Sequence, residues 1–366
     1  MEIGAALFSV ITVLLVLAGF IEKNSKPLFI LQIVWMYILL AGNTFSIDIS
    51  VNQDIFDWAQ MEQFTLYDYI CYGAGNYLGV QYLTMNAGIC LCIFVMSAVL
   101  LWKKTKNPCF ILSLIFCYPF ADMVIQKRWF IASAVILVGL FFLLKGNKKG
   151  TALFGVFVLL AAEIHAAALG YLVFLGNVFF HRVRHKRLVL FVLISAAVAI
   201  MPYLPTALAL VPAIGEAKVL FYFEVLHEKI KYPILNFFLW TGFHVGWVVL
   251  FRFFYIWAKR NMLEQDSKAL DVLYELNLLS LVFIPLYYWE PTFWRVSRNL
   301  LILDYVFLAR MMPVRYVYSL GSFRCYALYI TYAVLTFFLI YFGAGAGYEA
   351  LIQPIFMNNV LLELFS

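Results

Sequence analysis

Three groups of polar residues interrupt an otherwise apolar chain, and each suits a particular chemistry. Gln126, Lys127 and Arg128 sit directly against the apolar run 129–144. Glu163 and His165 break the apolar stretch 151–180, and Glu290, Arg295 and Arg298 stand between the runs 277–289 and 300–311. A guanidinium fork binds two phosphate oxygens at once, and a helix N-terminus adds partial positive charge. Two or three arginines at the starts of helices therefore make an anion site. At a membrane surface the natural anion is a lipid phosphate or pyrophosphate. Arg295 and Arg298 are three apart, so they share a face if the helix begins that early. A histidine near neutral pH, or a carboxylate raised by burial, can take a proton from a hydroxyl, and His165 and Glu163 are the candidates.

A complementary half lies upstream. The segment 43–79 carries Asp48, Asp54, Asp57, Glu62 and Asp68 and not one Lys or Arg. It interleaves these acids with Trp58, Tyr67, Tyr69, Tyr72 and Tyr77. Carboxylates that accept hydroxyl hydrogen bonds beside aromatic faces that stack on sugar rings suit a glycan. Asp54, Asp57, Trp58, Tyr67, Asp68, Tyr72 and Glu290 are the candidate glycan contacts. An interfacial aromatic belt would use the same tyrosines.

The elements that must hold these groups follow from composition. Of 366 residues, 65% are hydrophobic and 13% charged, and the mean hydropathy is +0.90. A soluble domain could not cover that much apolar surface, so the chain belongs in a membrane. Its apolar runs are about 14 to 22 residues long, the length of helices rather than of barrel strands. The expected architecture is an all-α polytopic membrane protein, one integral domain over 1–366. The six cysteines have neither disulfide nor metal-ligand spacing and read as small buried hydrophobes. No metal site, cofactor or nucleic-acid partner is expected. The run 3–21 lacks a basic start and reads as the first span.

Basic clusters give sidedness. "EKNSK", "KKTK" and "KGNKK" end the first, third and fifth runs and mark the cytoplasmic side. The acidic segment 43–79 then lies outside, and 122–128 lies at the outer end of the fourth and fifth spans. The pair Lys127–Arg128 breaks the positive-inside trend, so topology alone explains it poorly.

The stretch 151–180 has cytoplasmic flanks on both sides, "KGNKKG" and "HRVRHKR". A single crossing cannot return to its own side. Two half-helices can, 151–162 and 166–180, the first rising about 18 Å. They meet at Glu163 and His165, polar tips that border a water-filled cavity in membrane proteins. The segment 202–232, with Glu216, Lys218, Glu224, His227, Glu228 and Lys231, is expected outside. Residues 261–275 are expected as a polar cytoplasmic connection, Arg310 and Arg315 as the inner end of the run 300–311, and Arg252, Arg310 and the "HRVRHKR" run as cytoplasmic anchors. The sum is about ten transmembrane helices plus the broken pair, around an outward-facing cavity of the GT-C-like kind.

The order of an acidic, Tyr-rich outer loop, then "QKRWFIA" (126–132) opening a span, then "LLAAEIHAAAL" (159–169), resembles the EpsG/Wzy-like polysaccharide polymerases. "FWRVSRNLL" supplies the later outer arginine. The residue before the histidine, often aromatic in that family, is Ile164 here, and Glu163 is an added carboxylate. The resemblance implies a glycosyltransferase of exopolysaccharide, capsule or O-antigen type. Such an enzyme moves glycan from undecaprenyl diphosphate to a sugar hydroxyl of the next lipid-linked repeat unit. It works at the outer face of the bacterial cytoplasmic membrane, with the active site toward the periplasm or cell exterior. The resemblance implies as partners the undecaprenyl-diphosphate-linked oligosaccharide, membrane lipids and a chain-length regulator. Arg128 with Gln126, Lys127, Arg295 and Arg298 would hold the diphosphate, and His165 or Glu163 would be the base.

Rival readings use the same residues. A ligase moving a finished glycan needs a similar cation cluster. A glycosyltransferase using a lipid-monophosphate sugar favours an acidic first outer loop, which Asp54 and Asp57 provide. A non-catalytic lipid-linked sugar transporter would spread charge along a path and show repeat symmetry, and no repeat is visible. Residue by residue, Arg128 could snorkel to headgroups, His165 could bridge the half-helices, and Glu163 could pair with an arginine.

Overall fold

The computed structural model describes residues 2–46, 48–210, 220–228, 230, 232–261, 264–312, 320–343 and 347–363. Glu216, Lys218, Lys231 and Arg315 lie outside the described residues. The described chain is helical and without strands, apart from an isolated bridge between Asn43 and Asn359. Among the described residues, six helices are long and apolar enough to cross a membrane: Gly4–Ile21, Tyr82–Lys104, Lys186–Ala207, Pro233–Arg260, Ser267–Tyr288 and Leu320–Phe342. Lys26–Ala41, Pro108–Cys117 and Ala166–Phe180 are shorter apolar helices. The protein is a multi-pass helical membrane protein.

Helices extend past the apolar runs that announce them. The stretch expected as a polar connection, 261–275, is largely helical, from Glu264 onward. Leu270, Leu273 and Leu276 recur every three residues and are fully buried, so one face of this polar segment packs as core. Likewise the helix expected from residue 300 begins at Arg295.

The chain forms two compact units, with the division inside two of its helices. Unit 1 comprises 1–135, Glu163–His165 and 305–366. It holds α1 (Glu2–Ile21), α2 (Lys26–Ala41), α3 (Ile49–Ala59), α4 (Leu66–Tyr72), α5 (Tyr82–Lys104), α6 (Pro108–Cys117), α7 (Phe120–Ile125) and the start of α8 (Lys127–Leu143). Buried Gln32 of α2 ties three helices together, donating to Leu15 O and Ser113 Oγ, both at 3.0 Å. Gly19 lets α1 and α6 cross closely, since a Cβ there would lie 2.8 Å from Cys109 O. Further down the chain, the Asn107 amide donates to Ala309 O and Met312 O at 2.8 and 2.9 Å, satisfying carbonyls at a helix end.

Unit 2 comprises 136–162 and 166–304. Here α8 turns into α9 (Lys148–Ala162) through Gly146, whose φ of 61° is a left-handed conformation suited to glycine. Asn147 Oδ1 then accepts from Gly150 N at 2.7 Å and starts α9. Helix resumes as a 3₁₀ segment, Ala166–Gly176, packed against α9, followed by α10 (Asn177–Phe180) and α11 (Lys186–Ile200). Next come α12 (Pro233–Asn261), α13 (Glu264–Ser280), 3₁₀ turns over Leu281–Tyr288 and Pro291–Trp294, and the start of α14 (Arg295–Met311). Buried Glu275 of α13 bonds both His181 Nδ1, at 3.0 Å, and Lys186 Nζ, so part of the basic "HRVRHKR" run is anchored.

Candidate active site

The site in unit 1 starts with α4. Thr65 and Asp68 form a capping box: Thr65 Oγ1 accepts from Asp68 N at 3.3 Å, and Asp68 Oδ2 accepts from Thr65 N at 2.9 Å. Two further donors of the first turn, Leu66 N and Tyr67 N, need partners that α4 cannot supply. Glu163 provides both, through its carboxylate Oε2 and its backbone carbonyl, each at 3.3 Å. The break between α9 and the following 3₁₀ segment therefore lies against the N-terminus of α4, where a negative charge is favourable.

The "QKR" residues divide their work. Gln126 joins two helices: its N–H donates to Asp122 O at 2.9 Å to end α7, and its C=O accepts from Phe130 N at 2.8 Å to begin α8. Lys127 points inward and is fully buried, with Nζ donating to Asn43 O at 2.7 Å. About 100° further round the helix, half-buried Arg128 lies over the Tyr67 ring at 5.6 Å. Trp129 meets the His165 ring edge-on, with centroids 5.2 Å apart. Arg128, Tyr67, Trp129, Glu163 and His165 thus come together from three parts of the sequence. Burial pushes the Tyr67 hydroxyl well above its ordinary range, helped by Tyr82 and Cys71 and opposed by Arg128. The ring stays a neutral π face for the guanidinium. Burial likewise pushes the Cys71 thiol up to about 12, so it is no nucleophile.

Of the expected glycan contacts, Asp54, Asp57 and Trp58 share the exposed face of α3, opposite buried Asn52, Phe56 and Ala59. Trp58 is 54% exposed. Gln53 Nε2 donates to Asp57 Oδ1 at 2.9 Å. Tyr72 packs edge-on to Tyr77. Tyr67 is buried beneath Arg128, and Asp68 is engaged in its capping box.

Unit 2 carries the remaining expected residues. Glu290 Oε1 accepts from Thr292 N and Thr292 Oγ1, at 3.2 and 2.6 Å, and caps the turn before α14. Arg295 Nε donates to Thr292 O at 2.9 Å. Arg295 and Arg298 stand three apart on the first turn of α14. The 3₁₀ segment packs on that turn: Tyr171 OH bonds Arg295 O at 3.5 Å, and a Cβ on Gly170 would lie 3.2 Å from Val296. Among the described residues, no group of three His, Cys, Asp or Glu could hold a metal ion.

A family model, the EpsG family, matches residues 28–354. The chain belongs to the EpsG family. No curated protein and no solved structure matches it. Membership in this family carries a polysaccharide-polymerase type of function, of glycosyltransferase-like character.

Sequence reasoning passed over Trp129, which reads as the first residue of an apolar run, and Thr65, whose T-x-x-D spacing to Asp68 was a usable signal. It could not have found Asn43, because nothing local pairs it with Lys127.

Proposed function

We propose that the protein lengthens a bacterial surface polysaccharide, moving the growing glycan from undecaprenyl diphosphate to a sugar hydroxyl of the next lipid-linked repeat unit. Catalysis takes place at the outer face of the cytoplasmic membrane, in an outward-facing GT-C-like cavity among about ten spans. The observation that carries this reading is the meeting, within one unit, of the "QKR" arginine, the acidic aromatic loop and the Glu163–His165 break.

In the reaction, the bond between the anomeric carbon and the diphosphate oxygen breaks, and its electron pair leaves with the diphosphate. The acceptor oxygen forms the new bond to that carbon, and its proton passes to a base. We assign the base to His165, which stands at this break with its ring edge-on to Trp129, the neighbour of Arg128. Arg128 stabilises the departing diphosphate, an effect of about 3 kcal/mol per well-placed donor. Stacking on Tyr67 holds the guanidinium in one orientation. Arg295 and Arg298 are assigned as diphosphate ligands. Lys127 is assigned to anchoring α8, and Gln126 to the turn that presents Arg128. Asp54, Asp57, Trp58 and Tyr72 are assigned to the glycan. Membrane lipids and a chain-length regulator are the further partners.

The test uses the native host lacking this protein, complemented with wild type or Arg128→Ala at equal membrane levels. Wild type is expected to restore a long surface-glycan ladder, and the variant only single repeat units. Full-length polymer from Arg128→Ala, or no single units at the surface in the deletion strain, would overturn the reading.

A further inference from the structure

Unit 2 contains a chain of buried polar side chains that the site above does not use. Ser280 Oγ donates its one proton to Asn277 O at 2.7 Å, so it can only accept from His244 Nε2, 2.8 Å away. That leaves His244 Nδ1 to accept from Tyr287 OH at 2.8 Å. The Asn277 amide donates to Asp304 Oδ1 at 3.0 Å, and the Trp247 indole to Asp304 Oδ2 at 2.9 Å. His244, Asn277, Ser280, Tyr287 and Asp304 are each at most 1% exposed.

Apolar side chains of similar volume would hold four helical segments together at least as well, without the desolvation of a carboxylate. What hydrogen bonds add is direction, which fixes the rotation and register of the helices that carry them. His244 and Trp247 are three apart on one face of α12. Trp247, with Asn277 of α13, grips α14 at Asp304. His244 grips both ends of the loop before α14, through Tyr287 on one side and the Trp294 ring, at 4.6 Å, on the other. Between those grips lies Glu290, and directly after them Arg295. Asp304 follows Arg295 by nine residues (304 − 295), about half a turn round the helix once whole turns are removed. The gripped face of α14 is therefore opposite the face bearing Arg295.

We infer that His244 and Asp304 are positioning residues that set the rotation of α14 and with it the direction of Arg295 and Arg298 as diphosphate ligands. The inference rests on the reading of those arginines as diphosphate ligands. The test uses the full chain in proteoliposomes with a lipid-diphosphate-linked oligosaccharide. Asp304→Leu and His244→Phe are each made alone and with Arg295→Ala/Arg298→Ala. Alone, each is expected to raise the donor KM roughly tenfold or more at unchanged acceptor KM. In the double-arginine background neither should change it beyond about twofold.

A second measurement reads rotation without activity. Gly170→Cys with Val296→Cys places a thiol pair across the close contact of the 3₁₀ segment and α14. Peptide mapping should find rapid disulfide formation with the network intact, and formation slowed roughly tenfold with Asp304→Leu or His244→Phe. Unchanged cross-linking, or effects that multiply with those of the arginine pair, would overturn the positioning role alone. If the arginine pair does not alter donor KM, the diphosphate assignment falls, and the aiming role falls with it.

Discussion

Glu163 and His165 adjoin the same break, and substitution at Glu163 separates a proton acceptor from a cap. Glu163 Oε2 accepts from Leu66 N at 3.3 Å, a long bond from an exposed carboxylate to the start of a short helix. A contact of this kind is worth about 0.5–1 kcal/mol. Glu163→Gln keeps an acceptor oxygen and loses only the charge, about 0.3–0.5 kcal/mol, so transfer should slow about twofold at most. Glu163→Ala removes the whole contact, about 1 kcal/mol, and about fivefold is the ceiling even if all of it reaches the transition state. A lost general base costs about 10²–10⁴-fold, which is the range expected for His165→Gln. The assay is the initial rate of repeat-unit transfer in proteoliposomes at saturating donor and acceptor, with membrane levels matched. A hundredfold loss in Glu163→Gln alongside near-normal His165→Gln would reverse the assignment.

Other outcomes follow from neighbouring contacts. Tyr67→Phe keeps the ring beneath Arg128 and should leave transfer within about twofold, whereas Tyr67→Leu removes a contact of about 0.5–1.5 kcal/mol and should lower kcat/KM about two- to tenfold; equal losses would rule out the stacking role. Lys127→Ala empties a buried site and leaves Asn43 O without its donor, so thermal unfolding in detergent should show a loss of about 2–4 kcal/mol. The surviving folded Lys127→Ala protein should keep its donor KM, and a tenfold rise there would make Lys127 a ligand instead. Asp68→Ala breaks the capping box and should cost about 1 kcal/mol of local stability, read as faster amide exchange in α4 with exchange in α5 unchanged.

How far these features could be read without coordinates depends on the range of the forces involved. The break at 163–165 was legible because a chain with basic flanks on both sides of an apolar stretch must turn back, a constraint that charge and length impose locally. The helix α3 lay within a segment read as an acidic outer loop, although Asp54, Asp57 and Trp58 recur at helical spacing. Helix starts were read late: the Leu270, Leu273 and Leu276 stripe is diluted by Asp271 and Glu275, which hides a buried face in a polar window. Partnerships across long separations were not legible at all. Glu163 reaches Leu66 across 97 positions, and Lys127 reaches Asn43 across 84. His244 and Asp304 each stand alone in an apolar run, where sequence shows a cost but no compensation.

The treatment of Lys127 and Arg128 shows why two adjacent cations need not share a role. Successive helical residues diverge by about 100°, so one of them can be driven into the protein while the next stays half-exposed. The hydrogen bond from this buried ammonium to a carbonyl adds little net stability by itself, because desolvation offsets much of it, whereas truncating the side chain leaves a cavity and an orphaned carbonyl. Its effect is geometric: with Nζ fixed on Asn43 O, the first turn of α8 cannot rotate without stranding a charge in the interior. That constraint holds Arg128 above Tyr67 and Trp129 beside His165 together, because all three residues belong to one rigid turn. A chain that needed only positive charge at this end of the helix could have placed both side chains in solvent. Burying one of them makes sense where the direction of the other matters, as it does when an arginine must meet a diphosphate from one side.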